Sequence, residues 1–336
     1  MDQSQKNHLK AYGIAYWILG QDLEVDWLLN YRGGSFSCLQ HKAIERELMI
    51  RGVTYQVVAN AQYTAILQQI SDPEVNMDLV KLEKAPKIAV YSPKNALPWD
   101  DAVTLALTYA EIPYDVIYDE EVIQGKLPLY DWLHMHHEDF TGQYGKFYAM
   151  YKNAPWYQED VRGNEAMATK LGFSKVSHLK LGVVQKIRDF TAGGGFLFSM
   201  CSGTDTYDIA LAADGIDICE KMYDGDPSTP NYNSKLNFEN TFAFKDFQLK
   251  TNPLEYEYSN IDVTRTRKVK RTEDVFTLFE FSAKWDPVPT MLCQNHEQII
   301  KGFMGQTTAF RKSLIKSNVL VMGENKLANE AKYIHG

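Results

Sequence analysis

Apolar and polar positions along this chain follow two periods in turn. Short apolar runs that read as strands are followed by stretches with the i, i+3, i+4 spacing of amphipathic helices. Asp26 to Tyr31 (DWLLNY) reads as a strand, and Arg32-Gly33-Gly34-Ser35 follows it. His41 to Arg51 has helical spacing, Tyr55 to Ala59 (YQVVA) is strand-like, and Ala61 to Ile70 is helical again. Such alternation predicts parallel strands with helices on the faces of the sheet. The charged segment Asp78 to Pro86 reads as a connector, and the alternation then restarts. Lys87 to Tyr91 (KIAVY) is an apolar strand, and Asp101 to Ala110 is a helix whose acidic first turn suits the helix dipole. Tyr114 to Tyr118 and Tyr130 to His136 are further strands. Ser177 to Phe190 has helical spacing through Leu179, Val183, Ile187 and Phe190, and Gly193-Gly194-Gly195 stops it. Phe196 to Met200 (FLFSM) is a buried strand, with a turn and helix over Cys201 to Ala213.

After Gly215 the pattern changes. Pro, Asn, Tyr and Thr dominate Tyr223 to Asn260, and Val275 to Ser282 (VFTLFEFS) alternates like an antiparallel strand. The expected organisation is therefore an α/β segment over 1–80, an α/β core over 87–215, a β-rich insertion over 216–300 and a return to the core over 301–336. Asn329 to Gly336 follows the strand-like Val319 to Met322 without a closing element, so the chain reads as cut short.

With 336 residues, 45% apolar and 23% charged, the chain has the composition of a folded protein. Its net charge of -8 argues against a nucleic-acid or anionic-membrane partner. The basic run Thr264 to Arg271 is short enough to be a solvated strand or loop. No stretch of about 18 apolar residues is present, so no membrane span is expected. The opening residues lack the layout of a signal peptide, which leaves the compartment open: cytoplasmic, or periplasmic or secreted if a signal has been removed. Cys38, Cys201, Cys219 and Cys293 are far apart, which excludes a zinc ribbon or a thioredoxin-type pair.

The candidate chemistry centres on Cys201. A strand enters a tight turn there and a helix leaves it, with Ser199, Ser202 and Gly203 as small neighbours. A nucleophile elbow needs small neighbours because the reactive residue sits on strained backbone. The helix N-terminus is expected to lower the thiol pKa and to offer N–H groups to an oxyanion. The bland alternative is an inert, buried cysteine.

Ser199-Met200-Cys201-Ser202-Gly203 resembles the G-x-C-x-G of class I glutamine amidotransferases, with Ser in place of the first Gly. Gly193 to Thr206 is also similar to the trehalose-utilisation (ThuA-like) relatives of that fold, which read G-G-G-F-V-G-I-H-S-A-S-D-T. The glycines, Ser202, Asp205 and Thr206 match that wording, and Cys201 takes the place of its His. The resemblance implies a flavodoxin-like parallel sheet with helices on both faces and a hydrolase or amidotransferase-like site. It also implies ligand contacts at Ser202, Gly203, Asp205 and Thr206. An amidotransferase further needs His and Glu downstream, for which the chain offers His296-Glu297 and His335. The whole chain also resembles a group of bacterial proteins, mostly from Bacteroidetes, labelled asparagine synthetase B, which would imply ATP-dependent asparagine synthesis. Asp2 stands where such a synthetase has a catalytic Cys. Ser202-Gly203-Thr204-Asp205-Thr206 is one residue short of its pyrophosphate loop.

A second constellation runs from Asp131 to Gln143. On a strand, His134 and His136 share one side, and His137, Glu138 and Asp139 fall at its end. Ligands of parallel sheets bind at carboxyl ends of strands, so this segment and Cys201 are expected to share a crevice. His134, His136 and Glu138 suit a divalent metal (Zn, Fe or Mn). His136 and Glu138 would equally serve Cys201 as acid–base groups, and with Trp132 and Tyr144 the set would suit a small-molecule or carbohydrate ligand. Tyr144, Phe147, Tyr148, Tyr151, Trp156 and Tyr157 read as core or lid packing. Arg32 to Ser35 is an anion-site candidate if a helix follows it. A non-catalytic interaction protein that keeps the fold remains an alternative to all of these.

Overall fold

The computed structural model describes residues 4–93, 101–270, 272–285, 298–302 and 307–335. It divides into two compact units. The first takes residues up to Pro86, a segment ending at Tyr114, and residues from Phe279 to Gln298. It contains α1 (His8–Leu19), β1 (Val25–Leu29), β2 (Ser35–Ser37), α2 (Lys42–Ile50), α3 (Asn60–Ser71), β3 (Asp78–Leu82) and α4 (Ala102–Ala110). α4 starts where the Asp101 carboxylate accepts the Val103 N–H at 2.7 Å. It lies so close to α1 that a Cβ on Gly13 would sit 1.8 Å from the Ala110 carbonyl oxygen.

The sheet of this unit has the order β2-β1-β3, and both pairings are antiparallel. The parallel pairing expected here is corrected. Asn30, Arg32, Gly33 and Gly34 all have positive φ, which folds the chain into a hairpin. The Arg32 to Ser35 turn thus leads into β2 rather than a helix, and no helix N-terminus stands there for an anion. Asp78 to Leu82 is β3 rather than a connector, and Tyr55 to Ala59 is in no strand.

The second unit holds the site. It contains β4 (Ile88–Tyr91), β5 (Asp115–Ile117), α5 (Asp119–Ile123), β6 (Trp132–Met135), α6 (Tyr148–Tyr151), α7 (Pro155–Lys170), α8 (Val176–Ala192), β7 (Phe196–Ser199), α9 (Ser202–Ala212) and α10 (Lys221–Asp224). β5-β4-β6-β7 forms a four-stranded, wholly parallel sheet, so the fold is mixed α/β. Every residue of β4 is buried, as a strand covered on both faces requires. α8 buries Leu179, Val183, Val184 and Ile187 completely in the core, with β4, β6, Phe140 and Tyr207.

Past α10 the chain is largely irregular up to β8 (Val275–Leu278). Buried carboxylates replace a ladder there. Asp208, on α9, accepts the N–H groups of Phe242, Ala243 and Phe244, each at 2.8 Å. β9 (Ile299–Lys301), β10 (Phe310–Arg311), β11 (Leu320–Asn325) and β12 (Glu330–His335) then join β8 in an antiparallel sheet of order β10-β12-β11-β8-β9. Residues 299–335 thus add antiparallel strands rather than further α/β alternation, and β12 closes on β11. The basic run is not one solvated patch. Arg267 is buried between Asp274 (2.6 Å) and Glu330 (2.7 Å). No helix among the described residues is long and apolar enough to cross a membrane.

Candidate functional site

β7 delivers Cys201 at its carboxyl end, and α9 begins at the next residue. Cys201 has φ 51° and ψ -139°, a left-handed backbone that an L side chain enters only under strain. The turn is fastened to the neighbouring strand. Met200 N–H donates to Met135 O at 3.0 Å, and Gly203 N–H donates to His136 O at 2.9 Å. Gly203 has to be glycine for this approach, because a Cβ would lie 2.6 Å from the same His136 oxygen. Thr206, one turn into α9, donates its hydroxyl hydrogen toward Ser202 O (2.7 Å) and Glu138 O (2.9 Å). The loop after β6 and the turn after β7 therefore meet through hydrogen bonds to the His136 and Glu138 carbonyls.

The histidine segment is built differently from the expectation. His134 is fully buried, with Nδ1 at 3.2 Å from Phe198 O on β7 and its ring against Phe198. Glu138 turns back to accept the His136 N–H at 2.7 Å, and His136 and His137 face each other through their Nδ1 atoms at 3.0 Å. Asp139 accepts the Thr141 N–H, the Thr141 hydroxyl and the Gly145 N–H at 2.6–3.0 Å. These carboxylates shape the loop. Among the described residues, the group whose ligand atoms come within 4.8 Å of one another is Asp217, Cys219 and Asp224, not His134, His136 and Glu138. Lys175 bonds Asp217, Asp224 and Asp226 at 2.5–3.0 Å, so that acidic group already holds a cation of its own. The described residues do not bring ligand atoms of His134, His136 and Glu138 within 4.8 Å of one another.

Around the thiol the structure gathers carboxyl groups that the sequence did not single out as a set. Thr307 bridges two of them, its hydroxyl donating to Asp205 Oδ1 (3.0 Å) and its N–H to Asp262 Oδ2 (3.0 Å). Asp205 is fully buried, and its Oδ2 has no hydrogen-bond partner among the described residues. Glu138 and Asp262 are also buried. Burial, and then the charges of Asp205, Asp262 and Glu138, push the Cys201 thiol up to about 11, against the pull of the Ser202 N–H. Burial likewise holds the Asp205 carboxyl well above the usual range, with Asp262 adding to it. The expected thiolate is thus corrected: the pull of the helix N-terminus is outweighed first by desolvation, with the neighbouring carboxyls adding to it. Lys332, half-buried on β12, lies within electrostatic reach of Cys201, and burial lowers its pKa.

Compared against known protein families, curated proteins and solved structures, the chain matches none of them.

The remaining predicted contacts separate. Ser202, Gly203, Asp205 and Thr206 are buried: the Gly203 N–H and the Thr206 hydroxyl bond the loop after β6, and Asp205 Oδ1 accepts from Thr307. The Gly203 and Thr204 N–H groups, which a pyrophosphate would need, are bonded to His136 O and Cys201 O. Trp132 pairs with Ile88 and Phe196 at the amino ends of the strands, opposite the Cys201 turn. Tyr144 is buried among Tyr157 and Tyr223. His296 and Glu297 lie outside the described residues, and His335 ends β12. Asp262 was missed, although Asp262-Val263-Thr264 is a local signal: Asp262 Oδ1 caps the Thr264 N–H at 2.8 Å. Thr307 and Lys332 carried no local signal, since only the long-range fold brings them to the turn.

Proposed function

We propose that the second unit is a flavodoxin-like, class I amidotransferase-like domain that hydrolyses or transfers an acyl group through Cys201. The sheet order, counted along the chain as 2-1-3-4, supports this: it is the start of the flavodoxin-like order 2-1-3-4-5. The observation that carries the reading is the backbone of Cys201, strained at φ 51° between a parallel strand and a helix. Strain of this kind costs about 1–3 kcal/mol and persists where surrounding structure enforces it. Here Gly203 and the His136 carbonyl enforce it.

The high thiol pKa sets the form of the chemistry. The resting sulfur is a neutral thiol, so attack on an acyl carbon is coupled to loss of its proton. Asp205, Asp262 and Glu138 are the carboxyls acting on it, and one of them takes that proton. The S–C bond forms, the amine or alcohol leaves with a proton, and water cleaves the thioester. Lys332 and the Ser202 N–H supply positive potential as the oxyanion develops. The test is incubation with a panel of activated acyl esters and primary amides, followed by peptide mass spectrometry. An acyl adduct on Cys201, absent in Cys201→Ala, is the expected result; no adduct with any acyl donor refutes the reading. The same high pKa favours a second reading, a fold kept without chemistry, and that reading predicts no adduct.

A further inference from the structure

In the first unit an open cavity of about 310 Å³ lies between the turn that follows α3 and the segment from Glu280 to Trp285. That volume stands at the lower end of those that hold small molecules. Its walls follow from side-chain alternation. Phe281 and Ala283 are buried with Trp27 and Leu29, which leaves Glu280, Ser282 and Lys284 on the cavity side. Asn76 clamps one wall to the other: its Nδ2 donates to Phe281 O and its Oδ1 accepts the Ala283 N–H, each at 2.7 Å. Lys284 Nζ donates to Ile70 O, near the end of α3, at 3.0 Å. The protein's own bonds therefore hold the cavity in shape. Its lining has binding capacity left over. The Glu74 and Glu280 side chains accept no hydrogen bond and join no ion pair among the described residues. An ammonium has three N–H donors, and Lys284 directs one of them at Ile70. The Trp285 ring is 84% exposed at the rim and packs on no other ring among the described residues.

We propose that this cavity binds a neutral sugar ring, with Trp285 against its C–H face, Glu74 and Glu280 accepting from its hydroxyls and Lys284 donating to a hydroxyl oxygen. Charge selects this class of ligand. Two carboxylates and one ammonium line the cavity, so an anion meets a net negative wall and a cation meets Lys284. A hydroxyl both donates and accepts, so a polyol satisfies the carboxylates and the ammonium together. The flat indole supplies apolar area to a ring that carries its polar groups at the edge, and its own N–H stays available to a hydroxyl. The cavity belongs to the first unit and Cys201 to the second, so the proposal stands whether or not the thiol reacts.

The test is saturation-transfer NMR of the full chain with a panel of neutral hexoses, pentoses, N-acetylhexosamines and their disaccharides, and with tetramethylammonium as the cationic control. At least one sugar is expected to bind with a dissociation constant of about 0.1–10 mM, its ring C–H protons receiving the strongest saturation. Trp285→Ala should raise that constant at least about tenfold, and Glu280→Gln roughly threefold to tenfold. Both positions are exposed, so the variants should keep the melting temperature of the parent. Binding by no sugar in the panel, sugar binding that survives Trp285→Ala, or binding of tetramethylammonium alone overturns the proposal.

Discussion

Alkylation of Cys201 gives the most direct measure of the carboxyl cage. The free thiol has a pKa near 8.5, and burial with Asp205, Asp262 and Glu138 puts Cys201 at about 11. Below pH 8 that difference leaves roughly 300-fold less thiolate than an unstructured cysteine has. A more basic thiolate is the better nucleophile, and a Brønsted slope of about 0.4–0.5 returns roughly 10–20-fold. The second-order rate with iodoacetamide is therefore expected to be about 15–30-fold below that of a free cysteine peptide. Followed by peptide mass spectrometry, which separates Cys201 from Cys38, Cys219 and Cys293, the rate should climb about tenfold per pH unit from 7 to 9.5 without levelling. Asp262→Asn takes a carboxylate away from the turn and keeps an oxygen for only one of the Thr264 and Thr307 N–H groups, and should raise the rate severalfold at pH 8. A rate at or above that of the free peptide, with an inflection below pH 8.5, would refute the reasoning, because it would mean that the helix end outweighs the three carboxyls.

Two further outcomes follow from the same turn. Gly203→Ala places a methyl 2.6 Å from the His136 oxygen and threatens the 2.9 Å bond. Overpacking costs about 1–3 kcal/mol and the bond about 1 kcal/mol, against a helix-propensity gain of about 1 kcal/mol. The net loss of about 1–3 kcal/mol should lower the melting temperature by roughly 3–10 °C, and a drop under about 1 °C would contradict the close approach. The pH dependence of stability carries the other outcome. Asp205 titrates higher in the folded state than in the unfolded chain, so the folded state holds its proton more tightly. Its stabilising share is present below the unfolded pKa and is lost as pH rises toward the raised folded value. Asp205→Asn should flatten the fall in stability between pH 4 and 8, as read by urea unfolding at each pH; an unchanged slope would remove Asp205 from the account.

What the sequence made legible was whatever local pattern decides. KIAVY and FLFSM are apolar on both faces, so they read as buried strands; the structure holds them as β4 and β7 of a parallel sheet, but only β4 is buried, while β7 ends the sheet with Phe196 exposed and its other residues half-buried. Ser199 to Gly203 has the small residues a strained turn requires, and the turn is there. The failures have the opposite character. YQVVA has strand propensity, but propensity needs a partner backbone, and none is supplied among the described residues of the first unit. The His-x-His spacing was read as a ligand pair. The alternation of a strand holds only while the strand lasts: His134 is inside β6 and buried against Phe198, whereas His136 has left it. The thiol pKa departs from the expectation for a related reason. A helix end is visible in the sequence, while the groups that outweigh it arrive from Asp262, in a distant irregular segment, and from burial itself. Electrostatics at this turn is thus a property of the tertiary fold, and a cysteine at a helix start becomes a thiolate only when what surrounds it is less acidic and wetter than the surroundings of Cys201.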